Sequence, residues 1–258
     1  MLLKSAEITA FVGAFAWPLF RVAGLVMTAP IFGARTVPVR IRLGLSVAIT
    51  LVIMPILPAM PSVELFSPQA ILLIAYQLLI GVVMGFVLQL VLSAVITGGQ
   101  VVAMQMGLGF AAMVDPQNGA QTPVLSQFYV LMVILMYLAL NGHLVLFEVL
   151  VDSFRWMPIG ANIFSAQDFN TIVGWASILF SGAIAIALPA IASLLIVNFA
   201  FGIMTRAAPQ LNIFVIGFPL TMLLGFGVIL VTLPSILPRS SSMFNEAYNL
   251  LKTLLGAS

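Results

Sequence analysis

The chain has 258 residues, of which 62% are hydrophobic and only 6% are charged, and its formal net charge is +2. Soluble domains carry about 25% charged residues, so this composition, with a mean hydropathy of +1.23, excludes an ordinary water-soluble protein. The lack of cysteine and the single histidine, His143, exclude disulfides, thiolate metal sites and histidine clusters. We therefore predict an integral membrane protein that binds no metal, other cofactor or nucleic acid.

Six long apolar segments follow one another along the chain. A helix needs about 20 mostly apolar residues to cross the core of a bilayer, and the segments approach or exceed that length. They lack the short, evenly alternating strands of a lipid-facing barrel, so we predict an all-α membrane fold with the helices arranged in hairpins. The segments are 8–32, 43–60, 70–97, 124–151, 172–199 and 213–236.

Several of these segments contain polar residues or prolines that a helix surrounded by lipid would avoid. Arg21 lies near the centre of the first segment, and Gln77 lies in the third. Polar groups at this depth usually face protein or water, and a proline frees a carbonyl that a neighbour must satisfy. Packing within one bundle explains any single case, but together the residues predict helices that are extensively covered by protein. The others are Gln89, Asn141, Gly142, His143, Glu148, Pro189 and Asn198.

Two further patterns concern packing and orientation. Glycine pairs at 81/85 and 225/227 predict close contacts between helices.

With six spans, four lysines or arginines fall on each side of the membrane, and three of them lie together in the first connection, GARTVPVRIR. Because such residues are enriched in cytoplasmic connections, this cluster favours cytoplasmic first and last connections and an N-terminus outside, although the count itself leaves the orientation open.

The C-terminal stretch after Pro238 has the pattern of an amphipathic helix. Its serines are suitable N-cap residues, and polar side chains occupy the face opposite the apolar one. Such a helix lies on a membrane or docks on a partner protein, and a single lysine, Lys252, makes binding to anionic lipid the less favoured alternative. The apolar face consists of Met243, Phe244, Ala247, Tyr248, Leu251 and Leu255.

The connection at 98–123 differs from every other part of the chain. Its second part, MQMGLGFAAMVDPQNGAQTP, contains three methionines and three glycines, and Asp115 is its only charged residue. It is too rich in glycine and proline for a spanning helix and too apolar for an exposed surface loop. Composition therefore predicts a deformable apolar loop in a sheltered place.

The sequence contains no recognisable catalytic motif. The H-E-x-x-H, P-loop and G-x-S-x-G patterns are missing, and GLGFAA resembles a dinucleotide fingerprint without its strand–helix context. His143 and Glu148 would be offset by about 140° on a helix, so we do not predict a catalytic pair. We expect no enzyme. A stand-alone secondary transporter of small solutes is an alternative, because transporters also combine buried polar residues with broken helices.

Two longer stretches carry a family resemblance. They are MGLGFAAMVDPQNGAQTPVLSQFYVLMVILMYLALNGHLVLFEVLVDSFRWMPIG, residues 106–160, and TRAAPQLNIFVIGFPLTMLLG, residues 205–225. Together with the six segments they resemble the FliR/SctT family of type III secretion export gates over essentially the whole chain. The short motifs FAAMVDPQ, NGHL and RAAPQLNIF are similar to those of the flagellar branch of the family. The paralogous injectisome subunit is the alternative within the family.

The resemblance implies an assembly and a location. Family members assemble with FliP and FliQ into a helical pore that also associates with FlhB and FlhA, and unfolded flagellar subunits pass through it. The implied place is the flagellar basal body at the bacterial inner membrane, within the MS ring. Residues 1–165 would correspond to a FliP-like portion and residues 166–258 to a FliQ-like hairpin with the C-terminal helix.

The resemblance also implies functional residues. In the family, the loop between the third and fourth apolar segments plugs the closed pore, which here corresponds to residues 104–122. The implied subunit contacts lie in the connection after the fifth segment, at Arg206, Pro209, Gln210 and Asn212. The implied plug and gating residues are Met104, Met106, Gly107, Leu108, Gly109, Phe110, Met113, Asp115 and Pro116.

Overall fold

The computed structural model describes residues 5–58, 60–61, 63, 67–108, 124–160, 164–207 and 213–256. Within these ranges the chain is α-helical, apart from turns and a short 3₁₀ turn at Met54–Ile56, and it contains no strand. This confirms the predicted all-α class. The helices are α1 (Ser5–Thr28), α2 (Val39–Ile53), α3 (Pro68–Gln105), α4 (Val124–Ala139), α5 (Gly142–Trp156), α6 (Ala166–Trp175), α7 (Ile178–Ala207) and α8 (Ile213–Leu254).

The described helices include four that are long and apolar enough to cross a membrane, or five if α4 and α5 form one broken span. The sequence predicted six segments, with 124–151 continuous. Asn141 interrupts that segment with a φ of 56°, in the left-handed region that asparagine adopts more readily than most residues. A second break, between α6 and α7, falls inside the predicted segment 172–199.

The helices form two compact units that interleave along the chain. The first contains residues 1–90, 141–176 and 245–258, and the second contains residues 91–140 and 177–244. In the first unit α1 packs against α2 and crosses α3 at a glycine contact. A Cβ added to Gly24 would lie 2.5 Å from the carbonyl oxygen of Leu78, and one added to Gly81 would lie 2.8 Å from the amide nitrogen of Leu25. The predicted close contact at Gly81 is therefore present.

The C-terminal end of α8 completes the first unit. We predicted a separate helix beginning after Pro238, but α8 is continuous from Ile213 to Leu254. Ser240 is not an N-cap, because it lies inside the helix and its hydroxyl donates to the carbonyl of Ile236 at 2.9 Å. The predicted apolar face is buried in this chain's own core rather than left for a membrane or a partner protein. Tyr248 fixes this end by donating to the carbonyl of Gly142 at 2.7 Å.

In the second unit, the C-terminal half of α3 packs closely against its neighbours. A Cβ added to Gly98 would lie 3.1 Å from the carbonyl oxygen of Ala183, and one added to Gly99 would lie 2.8 Å from the Cα of Ser126. These glycines are therefore contact positions within a helix. The helix continues to Gln105, so residues 98–105 of the predicted loop are helical.

Candidate functional site

The described start of the predicted plug segment lies at an apolar cavity in the second unit. The cavity has a volume of about 450 Å³. Leu108 lines it from the end of α3, Val124 lines it from the start of α4, and the remaining wall comes from α4 and α8. Every lining side chain is hydrocarbon, so the cavity favours apolar groups and offers no hydrogen bond. The lining residues are Leu108, Val124, Leu125, Phe128, Phe226, Ile229, Leu230 and Leu233.

The end of α3 next to this cavity is a Schellman cap. The N–H of Gly107 donates to the carbonyl of Met104 and the N–H of Leu108 to that of Ala103, both at 3.0 Å. Gly107 has a φ of 81°, which suits the left-handed residue that this motif requires. Gly107 therefore has a definite structural task, which is to end the helix and turn the chain so that Leu108 faces the cavity.

Met106 anchors the same turn in the protein interior. Its side chain is fully buried and contacts Gly225 of α8, where an added Cβ would lie 2.7 Å from the Cε of Met106. The sequence predicted that Gly225 and Gly227 would allow close contact between helices. Gly225 instead makes room for a methionine side chain, and a Cβ at Gly227 would meet nothing within 4 Å.

The remaining predicted site residues are distributed differently. Met104 lies on the last turn of α3 and is 68% exposed, and Arg206 is exposed at the end of α7. The structure therefore brings Met106, Gly107 and Leu108 together at one turn and leaves Met104 on the surface. The other predicted residues lie outside the described ranges, namely Gly109, Phe110, Met113, Asp115, Pro116, Pro209, Gln210 and Asn212.

A second site, which sequence reasoning identified only in part, is a buried arginine cluster in the first unit. Arg21 of α1 is completely buried, and its Nε donates to the Oε1 of Gln77 in α3 at 2.8 Å. Its Nη1 donates to the carbonyl and the hydroxyl of Ser153 in α5, at 2.7 and 2.9 Å. Its Nη2 donates to the carbonyl of Met157 at 2.8 Å, and the guanidinium carbon lies 4.1 Å from the ring centroid of Phe154.

The partners in this cluster are neutral, and two of them are carbonyls at the C-terminal end of α5. The carbonyl of Ser153 also accepts from the N–H of Met157 at 2.9 Å, and the carbonyl of Met157 lies just beyond the last turn. The end of a helix carries partial negative charge, so the guanidinium caps α5 and gains an aromatic contact. The arrangement joins three helices and fixes Arg21 in place. Arg21 and Gln77 were visible as polar residues in apolar segments, but nothing in the sequence indicated that Ser153 would join them.

His143 lies in the first turn of α5, and its Nδ1 is buried without a hydrogen-bond partner among the described residues. Glu148 is exposed on the same helix. The described residues also contain no group of three histidine, cysteine, aspartate or glutamate side chains that could hold a metal ion. The described residues thus define an α-helical protein with long apolar helices, a buried hydrogen-bonded arginine cluster and an apolar cavity.

Comparison with known proteins identifies the family. The family described as Bacterial export proteins, family 1, matches residues 12–247. Flagellar biosynthetic protein FliR of Escherichia coli (strain K12) is 42% identical over 239 residues, covering 93% of this chain and 91% of that protein. The FliR of Pectobacterium carotovorum subsp. carotovorum is 37% identical over 252 residues, covering 98% and 96%. The FliR of Bacillus subtilis (strain 168) is 29% identical, covering 94% of each chain.

The chain therefore belongs to this bacterial export family, and its similarity to the FliR proteins makes it a membrane-embedded component of the flagellar export apparatus. These relatives agree with the flagellar branch that the sequence stretches predicted.

Proposed function

We propose that this chain forms part of the wall of a pore that passes unfolded flagellar subunits, and that residues 104–122 close that pore. In this proposal the chain assembles with FliP and FliQ, with residues 1–165 in a FliP-like role and 166–258 in a FliQ-like role. FlhA and FlhB are the further proposed partners. The site of assembly is the flagellar basal body at the inner membrane, within the MS ring.

The observation that carries the proposal is the apolar anchoring of the described start of the closing segment, residues 104–108. Met106 is buried beside Gly225, and Leu108 lines the apolar cavity. A narrow hydrophobic constriction blocks ions by dewetting, and methionine repacks readily around different chains. An apolar segment that begins at a buried methionine can seal against ions and still deform when a polypeptide passes.

The exposed apolar side chains of α7 and α8 support the proposed contacts with neighbouring subunits. Phe180 and Phe199 of α7 are 68% and 73% exposed, and Val231 of α8 is 81% exposed. Large contiguous apolar surfaces of this kind mark contacts with lipid or with other protein. Arg206 at the end of α7, together with Pro209, Gln210 and Asn212, is proposed to contact neighbouring subunits.

The test is the ion conductance of the purified assembly in a planar lipid bilayer. Deleting residues 109–114 removes the centre of the closing segment but keeps Met106, Gly107 and Leu108, so the cap of α3 is preserved. We expect the deletion variant to copurify with FliP and FliQ and to leak small ions. A matched control is M27A/F169A, which removes one exposed methionine from α1 and one exposed phenylalanine from α6, away from the proposed subunit contacts.

The outcomes separate the parts of the proposal. Conductance as low as that of the unaltered assembly would exclude a closing role for residues 109–114. A chain that purifies alone and does not associate with FliP and FliQ would exclude the pore-wall role. A leak in M27A/F169A equal to that of the deletion would assign the leak to a general loss of apolar side chains rather than to the closing segment.

A further inference from the structure

Most of the second helix is exposed. In the apolar window Val39–Ile56, which contains α2, 17% of the residues are buried, compared with 67% of the window in α3 and 22% of each of the windows along α7 and α8. Its exposed side chains lie on several sides of the helix rather than on one narrow stripe. They include Val39, Ile41, Leu43, Val47, Leu51 and Val52, which we call the α2 surface, and Val52 is 76% exposed.

The polarity of α2 is the reverse of that of a helix on a water-soluble protein. Ser46 and Thr50 are buried and satisfied within the helix, since Ser46 donates to the carbonyl of Arg42 at 2.8 Å and Thr50 to that of Ser46 at 2.7 Å. The hydroxyls therefore face protein while valine, isoleucine and leucine face outwards. At about 1.5 Å per residue, the 18 residues of Val39–Ile56 span nearly the ~30 Å hydrocarbon core of a bilayer.

The positive charges of the first connection lie at one end of this apolar surface. Arg42 forms hydrogen bonds to the backbone of its own connection. Its Nε donates to the carbonyl of Val37 at 3.0 Å, and its Nη2 donates to the carbonyl of Ala34 at 2.9 Å. Arg35 and Arg40 are exposed, and neither has a hydrogen bond or ion pair with another described residue. The folded turn thus presents two uncompensated guanidinium groups where the apolar surface begins.

We propose that the α2 surface faces the acyl chains of a membrane leaflet and that Arg35 and Arg40 bind the headgroups of anionic phospholipids. Arginines at the end of an apolar helix place their charge at the headgroup level, and a guanidinium pairs with a phosphate through two parallel hydrogen bonds. Two exposed arginines at one end of an apolar helix surface match the polarity of a membrane leaflet, in which charged headgroups adjoin acyl chains.

The chain contains no cysteine, so a single Leu43→Cys substitution carries a fluorophore at the chosen point of the α2 surface. The full chain in the assembly purified from membranes is reconstituted in phosphatidylcholine vesicles. These contain a small, equal mole fraction of either brominated phosphatidylglycerol or brominated phosphatidylcholine. We expect stronger quenching by the brominated phosphatidylglycerol, with a preference of about fivefold for each arginine at the surface.

Three variants test whether Arg35 and Arg40 cause the preference for phosphatidylglycerol. In R35Q/R40Q the preference for phosphatidylglycerol falls towards one, whereas R35K/R40K keeps most of it. The matched control R239Q/K252Q removes the same charge from exposed positions on α8 and leaves the preference unchanged. Equal quenching by the two lipids in the unaltered chain overturns headgroup binding. No quenching by either lipid shows that protein covers the α2 surface, and this also overturns the proposal.

Discussion

The arginine cluster of the first unit and the apolar contacts around Met106 in the second unit hold their surroundings together by opposite means. In the first unit, a fully buried cation makes hydrogen bonds of 2.7 to 2.9 Å to three residues. In the second unit, a cavity of about 450 Å³ is lined by hydrocarbon side chains beside a buried methionine. Directional bonds allow one arrangement of the groups that make them, whereas apolar contacts allow several of similar energy. We therefore expect the arginine cluster to keep one geometry and the apolar contacts around Met106 to rearrange at a lower cost.

The largest expected effect is that of removing the buried cation with Arg21→Met. The substitution leaves the Oε1 of Gln77 and the carbonyl of Met157 without a donor in an apolar interior. Each unsatisfied group costs about 1–3 kcal/mol, so we expect a loss of about 4 kcal/mol in the free energy of unfolding. That corresponds to a fall of about 10 °C in the unfolding midpoint of the purified chain in detergent.

Arg155→Met is the matched control for this prediction. Arg155 is exposed and forms a 3.3 Å salt bridge with Asp152 three residues away, and surface pairs of this kind contribute at most about 1 kcal/mol. A midpoint for Arg21→Met that is no lower than that of Arg155→Met would show that the cluster does not hold the first unit together.

The sequence predicted the helical class and the family, but not how the polar residues combine. Arg21 and Gln77 stood out because charged and amide side chains are rare in apolar segments, yet they are 56 positions apart, and Ser153 is 132 positions from Arg21. Only the tertiary packing of α1, α3 and α5 brings them together. The boundary at residue 98 was misplaced for a similar reason, because Gly98 and Gly99 are contact positions rather than the start of a loop. Gly107 carried a local signal, since glycine after a helix predicts a left-handed cap.

The second expected effect concerns the backbone contact between α1 and α3. In Gly81→Ala the new Cβ would lie against the carbonyl oxygen of Arg21 and 2.8 Å from the amide nitrogen of Leu25. Backbone atoms cannot move aside without shifting a helix, so overpacking should cost about 2 kcal/mol, or about 5 °C in the unfolding midpoint. Gly44→Ala in α2 is the control, because a Cβ there meets nothing within 4 Å. It should raise the midpoint slightly through its better helix propensity. Equal midpoints for the two variants would contradict the close crossing of α1 and α3.

The smallest expected effect is that of the same substitution in the second unit, Gly225→Ala. The new Cβ would lie 2.7 Å from both the Cγ and the Cε of Met106. Unlike a backbone carbonyl, a methionine side chain can change rotamer. The cost of overpacking is therefore largely offset by the gain of about 0.5–1 kcal/mol from replacing a helical glycine, and we expect a net change within about 1 kcal/mol.

A double-mutant cycle isolates the contact itself. Met106→Ala alone should cost about 3 kcal/mol, within the range for buried methionines, and this is less than the cost expected for Arg21→Met. Adding Gly225→Ala to it should be stabilising, because the obstructing side chain is gone. Gly227→Ala is the control, since its Cβ meets nothing within 4 Å and its effect should add independently to that of Met106→Ala. If Gly225→Ala lowers the unfolding midpoint as much as Gly81→Ala does, the methionine contact is as rigid as the backbone crossing. In that case the apolar contacts around Met106, which anchors the start of the closing segment, would not be more deformable than the packing of the first unit.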